Sequence, residues 1–213
     1  MININQLKIY IVRPIIQKHK DLLPNIDKFK DNDRWYLDLI SDLIIGTCAV
    51  ETYGGYYLQS EKMGTKGIYG MSKPMLEISL GEKVSDELFD KLISDLYFAT
   101  ERCFFYYLNC KAIDVLSQKC NENTNSNSNN IMMIAQIWSS TYTQGNPNTD
   151  KFYAVYCRMI LGKFDVNKIQ DNQCTRCGYI NKPTAKNFNI NYDIHQPQEN
   201  MSRFNGNFDK FHK

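Results

Sequence analysis

One apolar segment that ends in a carboxylate constrains this chain most. Asp33 has the character of a helix N-cap, and apolar residues then recur at helical spacing. From Leu43 to Val50 the segment is almost wholly apolar, and the glycines at 54 and 55 follow it. The pattern predicts a helix over about 34–52 whose second half is buried, and therefore a mainly α-helical domain built around it.

Several shorter elements are expected on either side of this helix. Residues 1–32 have the pattern of a lead-in segment with one short helix. Residues 53–73, rich in glycine, predict an irregular or β-hairpin lobe. Ser72-Lys73-Pro74 opens a short helix, with proline in the first turn. A long helix is predicted over about 85–118, with a possible break near Asn109.

The second half of the chain contains two polar segments. Residues 121–130 are rich in asparagine and predict a flexible surface loop, followed by helices over about 131–142 and from about 149 to 161. Residues 163–213 have few aliphatic side chains and predict an extended C-terminal docking tail. The expected organisation is thus a lead-in (1–32), a helical domain (33–162) and a tail (163–213).

Composition excludes several function classes. The 213 residues are 43% apolar and 23% charged, which is typical of a globular chain, and the net charge of +2 argues against a protein that mainly coats DNA. No apolar run approaches the roughly 20 residues that cross a bilayer, so no membrane association is expected. The first residues carry no export-signal pattern. The seven cysteines are scattered, which indicates buried thiols in a reducing compartment.

The carboxylate at the end of the apolar helix is the candidate for chemistry. Glu51 follows an apolar stretch, so desolvation disfavours its charged form, and the negative end of the helix dipole acts in the same direction. Both effects predict a raised pKa. A carboxylic acid that is protonated near neutral pH can protonate a glycosidic oxygen. The alternative is an ordinary solvated glutamate at a helix end.

Four segments, in order, resemble bacteriophage transglycosylase-like proteins of the lysozyme-like superfamily. In that group an A-x-E-S/T helix end precedes a glycine-rich stretch, a G-I/L-F/Y-Q-M-x-P motif, an aromatic-Ala-Thr helix and an A-x-x-W-K-x-x-Y-N-T-x-x-G segment. The corresponding stretches here are GTCAVET (46–52), GIYGMSKP (67–74), DLYFAT (95–100) and IAQIWSSTYTQG (134–145). The resemblance covers about residues 35–162.

The resemblance implies a lysozyme-like fold whose cleft binds peptidoglycan glycan strands. Glu51 would act first as acid and then as base, as in lytic transglycosylases, where a group of the sugar supplies the second function and no cofactor is needed. The nearest later acids, Glu61 and Glu77, lie in no motif that marks a partner carboxylate. Substrate-binding residues implied in such a cleft are Thr52, Tyr53, Tyr57, Tyr69, Met71 and Tyr142. Each tyrosine has the alternative of being a packing group, and Trp138 is expected in the core.

The resemblance also implies a location and a partner. The expected location is a phage virion, at the tail or baseplate, with the C-terminal tail bound to other virion proteins. One departure gives a rival interpretation: Gly70 stands where the group has glutamine. A catalytically inactive lysozyme-like structural component of the virion therefore remains an alternative.

A possible metal site lies in the tail. Cys174 and Cys177 form a CxxC pair that, with His195 and a ligand from another chain, could hold zinc. The sequence lacks a second CxxC pair, so an ordinary turn with two free thiols is the preferred interpretation and no metal is expected. A zinc-dependent nucleic-acid adaptor is the third hypothesis, and the acids among the basic tail residues make nucleic-acid binding unfavoured.

Overall fold

The computed structural model describes residues 2–29, 33–61, 63–122, 127–143 and 149–163. This part of the chain is mostly helical and includes a small antiparallel sheet of three strands. The prediction of a mainly α-helical chain with a small β lobe is therefore confirmed. None of the helices in these ranges is long and apolar enough to span a membrane.

The central helix α3 runs over Asp33–Thr52, in agreement with the predicted 34–52. Its second half is buried without interruption from Leu43 to Val50. Four helices all pack against it: α2 (Arg13–Lys18), α6 (Leu96–Asn109), α8 (Asn127–Tyr142) and α9 (Thr149–Ile160). Because α3 is surrounded in this way, an apolar side chain is favoured on every face of its second half.

The N-terminal segment belongs to the same core. It forms α1 (Ile4–Leu7), a π-helical turn (Lys8–Val12) and α2 (Arg13–Lys18), followed by two short 3-10 turns. Its apolar side chains, including Val12 and Ile15, are fully buried in the cluster that contains α3. The described part of the predicted lead-in thus forms helices that pack in the same core as α3.

Residues 53–72 form the expected β lobe directly after α3. Strands β1 (Gln59–Ser60), β2 (Thr65–Lys66) and β3 (Met71–Ser72) pair in sequence order, each antiparallel to the next. At Gly67, where φ is +77°, a Cβ atom would lie 2.5 Å from the carbonyl oxygen of Leu92. Glycine is required there because the lobe packs directly on a helix backbone.

The region predicted as one helix over 85–118, with a break near Asn109, is three helices: the break near Asn109 is confirmed, and a single helix across Asp95 is wrong. After α4 (Lys73–Leu80) come α5 (Asp86–Ser94), α6 (Leu96–Asn109) and α7 (Ala112–Glu122). Asp95 is extended and its side chain accepts a hydrogen bond from Phe98 N, so it caps α6 and ends α5. Ser72 and Ser85 cap α4 and α5 in the same way, as their positions predict.

The last two helices of the described residues are α8 (Asn127–Tyr142) and α9 (Thr149–Ile160). Both ends of the predicted loop over 121–130 are helical, because α7 continues to residue 122 and α8 begins at residue 127; residues 123–126 lie outside the described residues. The docking tail beyond residue 163 and the zinc candidates Cys174, Cys177 and His195 lie outside the described residues.

Candidate active site

Glu51 lies one residue before the end of α3, where the chain turns away sharply. The three residues that follow Thr52 all have positive φ: 53° at Tyr53, 66° at Gly54 and 74° at Gly55. Only glycine adopts such angles freely, so the glycine pair lets the chain turn away just beyond Thr52, the last residue of α3. Glu51 is half-buried at this turn.

The Glu51 carboxyl is held by a tryptophan from another helix. Trp138 Nε1 of α8 donates a hydrogen bond to Glu51 Oε1 at 2.8 Å. The indole is 2% exposed and packs against the Phe152 ring of α9, with ring centroids 5.3 Å apart. Three helices therefore fix the position of this one side chain.

Burial raises the pKa of the Glu51 carboxyl to about 7. The positive charge of Lys151 and the hydrogen bond from Trp138 both act in the opposite direction, because each favours the charged form. The predicted upward shift of the Glu51 pKa is thus confirmed in direction, with desolvation as its main cause. A pKa near 7 gives comparable populations of acid and carboxylate at neutral pH.

Three neutral side chains interact electrostatically with the Glu51 carboxyl. The Tyr107 hydroxyl lies 2.6 Å from Thr47 Oγ1, and the Tyr142 hydroxyl lies 3.4 Å from Cys103 Sγ. Burial raises the pKa of Tyr107, of Tyr142 and of Cys103 well above the usual value of each group. All three stay protonated at neutral pH, so within this set Glu51 is the group that changes charge near pH 7.

Three tyrosines of the turn after α3 form a ring cluster. The Tyr53 and Tyr57 centroids are 6.1 Å apart, and Tyr56 and Tyr57 are 4.9 Å apart, both in edge-to-face contact. Lys151 Nζ lies 5.7 Å from the Tyr53 centroid. Tyr53 and Tyr57 are buried and Tyr56 is half-buried. The structure thus brings two of the predicted substrate-binding tyrosines near the Glu51 turn.

Three other predicted substrate-binding residues are architectural. Thr52 is 1% exposed, and its hydroxyl accepts from Gly55 N at 2.8 Å and lies 2.5 Å from the carbonyl oxygen of Ile68. Tyr69 is 1% exposed and its hydroxyl lies 2.9 Å from Thr100 Oγ1. Met71 is fully buried. These side chains fasten the β lobe to the helices, and their assignment as substrate contacts stays a prediction. The remaining candidate, Tyr142, is half-buried.

Gly70 departs from the resembling motif for a backbone reason. Its φ is 57°, and its N–H donates to the carbonyl oxygen of Gly67 at 3.1 Å in a tight turn. A glutamine at this position would be strained, since residues with a Cβ atom seldom adopt that angle. The local conformation is therefore built for glycine.

Sequence reasoning missed two residues of this site. Trp138 was assigned to the core alone, although its place in the resembling segment 134–145 was a usable signal. Lys151 carried no signal, because its approach to Glu51 depends on how α9 packs on α3. Of the two later acids considered as partners, Glu77 accepts a hydrogen bond from Lys83 Nζ at 3.0 Å, and Glu61 is exposed.

The chain was compared with models of protein families, with curated proteins and with solved structures, and no match was found in any of the three. Within the described ranges, His, Cys, Asp and Glu side chains form no group of three or more that could hold a metal ion.

Proposed function

We propose that this protein is a lysozyme-like domain that cleaves the β-1,4 glycan backbone of peptidoglycan, with Glu51 as the single acid and base. The observation that carries the proposal is the state of one carboxyl group. It is desolvated, its pKa is about 7, and a buried indole N–H holds it at 2.8 Å. This is the protonation state that a general acid requires at neutral pH.

The proposed reaction needs one carboxyl group and a group of the sugar. Glu51 donates its proton to the glycosidic oxygen as the C1–O bond breaks, and the leaving sugar departs as an alcohol. The resulting carboxylate takes the proton of the 6-hydroxyl group while that oxygen bonds to C1, which gives a 1,6-anhydro product and restores the acid. The hydrogen bond from Trp138 and the charge of Lys151 stabilise the intermediate carboxylate.

Two features support this reaction over one with a second carboxylate. Glu77 is bound to Lys83 and Glu61 is exposed, so neither is arranged as a partner of Glu51. The tyrosine cluster beside the turn supplies aromatic and hydroxyl groups of the kind that contact sugar rings.

The biological setting is part of the proposal. It rests on the resemblance over residues 35–162 to phage transglycosylase-like proteins, and it gives the protein a place in the virion tail or baseplate. There it would bind peptidoglycan strands, and residues 163–213 would bind other virion proteins.

A second candidate function is a lysozyme-like structural component without catalysis. The observation that favours it is Gly70, whose backbone angle of 57° suits glycine at the position where the resembling group has glutamine. Measurement of muropeptide release, described next, separates the two candidate functions.

The test is release of muropeptides from purified sacculi, identified by mass spectrometry. The full-length protein should release 1,6-anhydro products, and Glu51→Gln should release none above background. Glu82→Gln is the matched control, because Glu82 is exposed, and it should behave as the wild type. Equal release by the wild type and Glu51→Gln would refute the proposed catalysis and favour the structural role.

A further inference from the structure

The tryptophan that holds Glu51 is itself held from the side by one aromatic ring. Phe152 is fully buried in the second turn of α9, and its ring centroid lies 5.3 Å from that of Trp138 at an interplanar angle of 42°. The indole that donates to the carboxyl therefore packs against a fully buried ring.

The position of the Phe152 ring depends on a glycine in the central helix. A Cβ atom placed on Gly46 would lie 2.2 Å from Phe152 Cζ and 2.9 Å from Cε2. Any other residue at position 46 would displace the ring, since Cβ contacts below about 3 Å do not occur in close-packed protein. Gly46 thus forms a hollow in α3 that accepts the tip of the ring.

The rest of α9 is anchored independently of this contact. The Tyr156 ring packs on Phe152 at 5.5 Å, and its hydroxyl donates to Asp42 Oδ1 at 2.7 Å. At the end of the helix, Asn5 Nδ2 donates to the carbonyl oxygen of Ile160 at 3.1 Å. With α9 held at these points, the Phe152 ring has little freedom to move away from Trp138.

We infer that Phe152 is a positioning residue for Glu51: seated in the hollow at Gly46, its ring holds the Trp138 indole so that Nε1 points at the carboxyl. The inference rests on the proposed function only in treating that carboxyl as catalytic. Three residues from three helices take part: Gly46 accommodates the Phe152 ring, and that ring positions the Trp138 indole. Phe152 acts through Trp138 and touches no substrate.

The chain provides a direct spectroscopic probe of this arrangement. It contains two tryptophans, Trp35 and Trp138, so its ¹H–¹⁵N spectrum has two indole signals. In the wild type, the Trp138 indole signal should shift as Glu51 titrates near pH 7, and Trp35 should not. Glu51→Gln should abolish the shift, which assigns it to this carboxyl.

Phe152→Leu is the main test. It should reduce the pH-dependent shift of the Trp138 indole and raise its midpoint, because a looser hydrogen bond favours the carboxylate less. In sacculus digestion, kcat should fall by about tenfold to a hundredfold with KM nearly unchanged, as expected when a catalytic group is misplaced. Gly46→Ala should have the same effects, and the double variant Gly46→Ala/Phe152→Leu should do no further harm.

Phe89→Leu is the matched control, since it makes the same change at another buried ring, on α5. It should leave the indole titration unchanged. An indole titration in Phe152→Leu that equals the wild type would overturn the positioning role. If neither Phe152→Leu nor Gly46→Ala folds, the wild type provides the test. The Phe152 ring protons should show cross-relaxation with the Trp138 indole, and their signals should titrate with the same midpoint. Absence of either result refutes the inference.

Failure of the positioning role can be distinguished from failure of the proposed function. A wild type that cleaves no glycan, yet shows the indole titration and its loss in Phe152→Leu, would refute the enzyme and retain the positioning role. Cleavage that survives Phe152→Leu at full rate, with the indole titration intact, would refute the positioning role and retain the enzyme.

Discussion

Trp138 Nε1 donates a hydrogen bond to Glu51 Oε1 at 2.8 Å across 87 residues of sequence. This bond joins the end of the central helix to α8 and gives the carboxyl a side-chain donor from the core. Because the donor favours the charged form while burial favours the neutral form, the balance places the pKa near neutrality.

Replacement of this donor should make the carboxyl a weaker acid. Trp138→Phe keeps an aromatic ring in the core but removes the N–H, so the pKa of Glu51 should rise above about 7. The midpoint can be measured from the side-chain carboxyl carbon by NMR with ¹³C-labelled glutamate. Trp35→Phe, at the half-buried start of α3, is the control and should leave the midpoint unchanged. A Trp138→Phe midpoint equal to or below that of the wild type would contradict the assigned role of the hydrogen bond.

Loss of the nearby positive charge should act in the same direction. In the wild type, the positive charge of Lys151 lowers the pKa of Glu51. Lys151→Met keeps the length of the side chain and removes that charge. The Glu51 midpoint should therefore rise in Lys151→Met and stay close to the wild type in Lys151→Arg. The effect should weaken in high salt, because salt screens charge interactions. Identical midpoints in the Met and Arg variants would show that the charge of Lys151 does not reach the carboxyl.

The raised pKa should make stability depend on pH. The ordinary pKa of the group is 4.5 and the folded value is about 7, so the folded state binds this proton more tightly than the unfolded state. That contribution to stability is fully present below about pH 4.5 and is lost as the pH rises through about 7. Relative to the wild type, Glu51→Gln should therefore gain about 1–3 kcal/mol between pH 4.5 and pH 8.

Urea unfolding of the two proteins at several pH values measures this difference. Glu82→Gln at an exposed position should follow the wild type at every pH. A difference between Glu51→Gln and the wild type that stays constant from pH 4.5 to pH 8 would mean that the carboxyl is not desolvated in the folded state.

Much of the fold could be predicted from local pattern, and the exceptions have physical causes. The helix over 34–52, the caps at Ser72 and Ser85 and the β lobe follow from short-range signals, namely an apolar run, a side-chain cap and clustered glycines. Asp95 was missed because its capping role competes with an apolar periodicity that continues through it. The N-terminal helices were missed because a π-helical turn at 8–12 disturbs the 3.6-residue pattern.

The candidate site was predictable only in part. The apolar helix end predicted the raised pKa of Glu51 without knowledge of its neighbours, because desolvation acts on the group itself. Trp138 and Lys151 come from α8 and α9, and their approach is set by tertiary packing that no local pattern encodes. The resemblance implies Thr52, Tyr69 and Met71 as substrate contacts, but a place in a sequence motif does not decide which side chain faces the core.

The Thr52 hydroxyl should be important for stability. It accepts from Gly55 N at 2.8 Å and lies 2.5 Å from the Ile68 carbonyl, both within the core. Thr52→Val preserves the shape and leaves these buried groups without a partner, so it should cost about 1–3 kcal/mol. Thr52→Ser keeps the hydroxyl and should lose less. The comparison is made by chemical denaturation, and equal losses in the two variants would rule out the hydroxyl as the cause.

Replacement of Gly70 by glutamine, the residue of the resembling motif, should lower the stability of the fold. At a φ of 57°, Gly70→Gln should destabilise the fold by about 1–2 kcal/mol, and Gly70→Asn should cost less because asparagine tolerates the left-handed region. Thermal or urea unfolding of the three proteins gives the order. Equal stability of the glycine and glutamine forms would mean that the turn is free to change its conformation.

The pH dependence of glycan cleavage tests the central claim most directly. If Glu51 must be protonated to act, the rate of anhydro-muropeptide release from sacculi should be highest below the midpoint near pH 7 and fall by about tenfold for each pH unit well above it. Glu51→Gln should give no cleavage at any pH. A wild-type rate that does not change between pH 6 and pH 9, or cleavage by Glu51→Gln at the wild-type rate, would contradict the assignment of Glu51 as the acid.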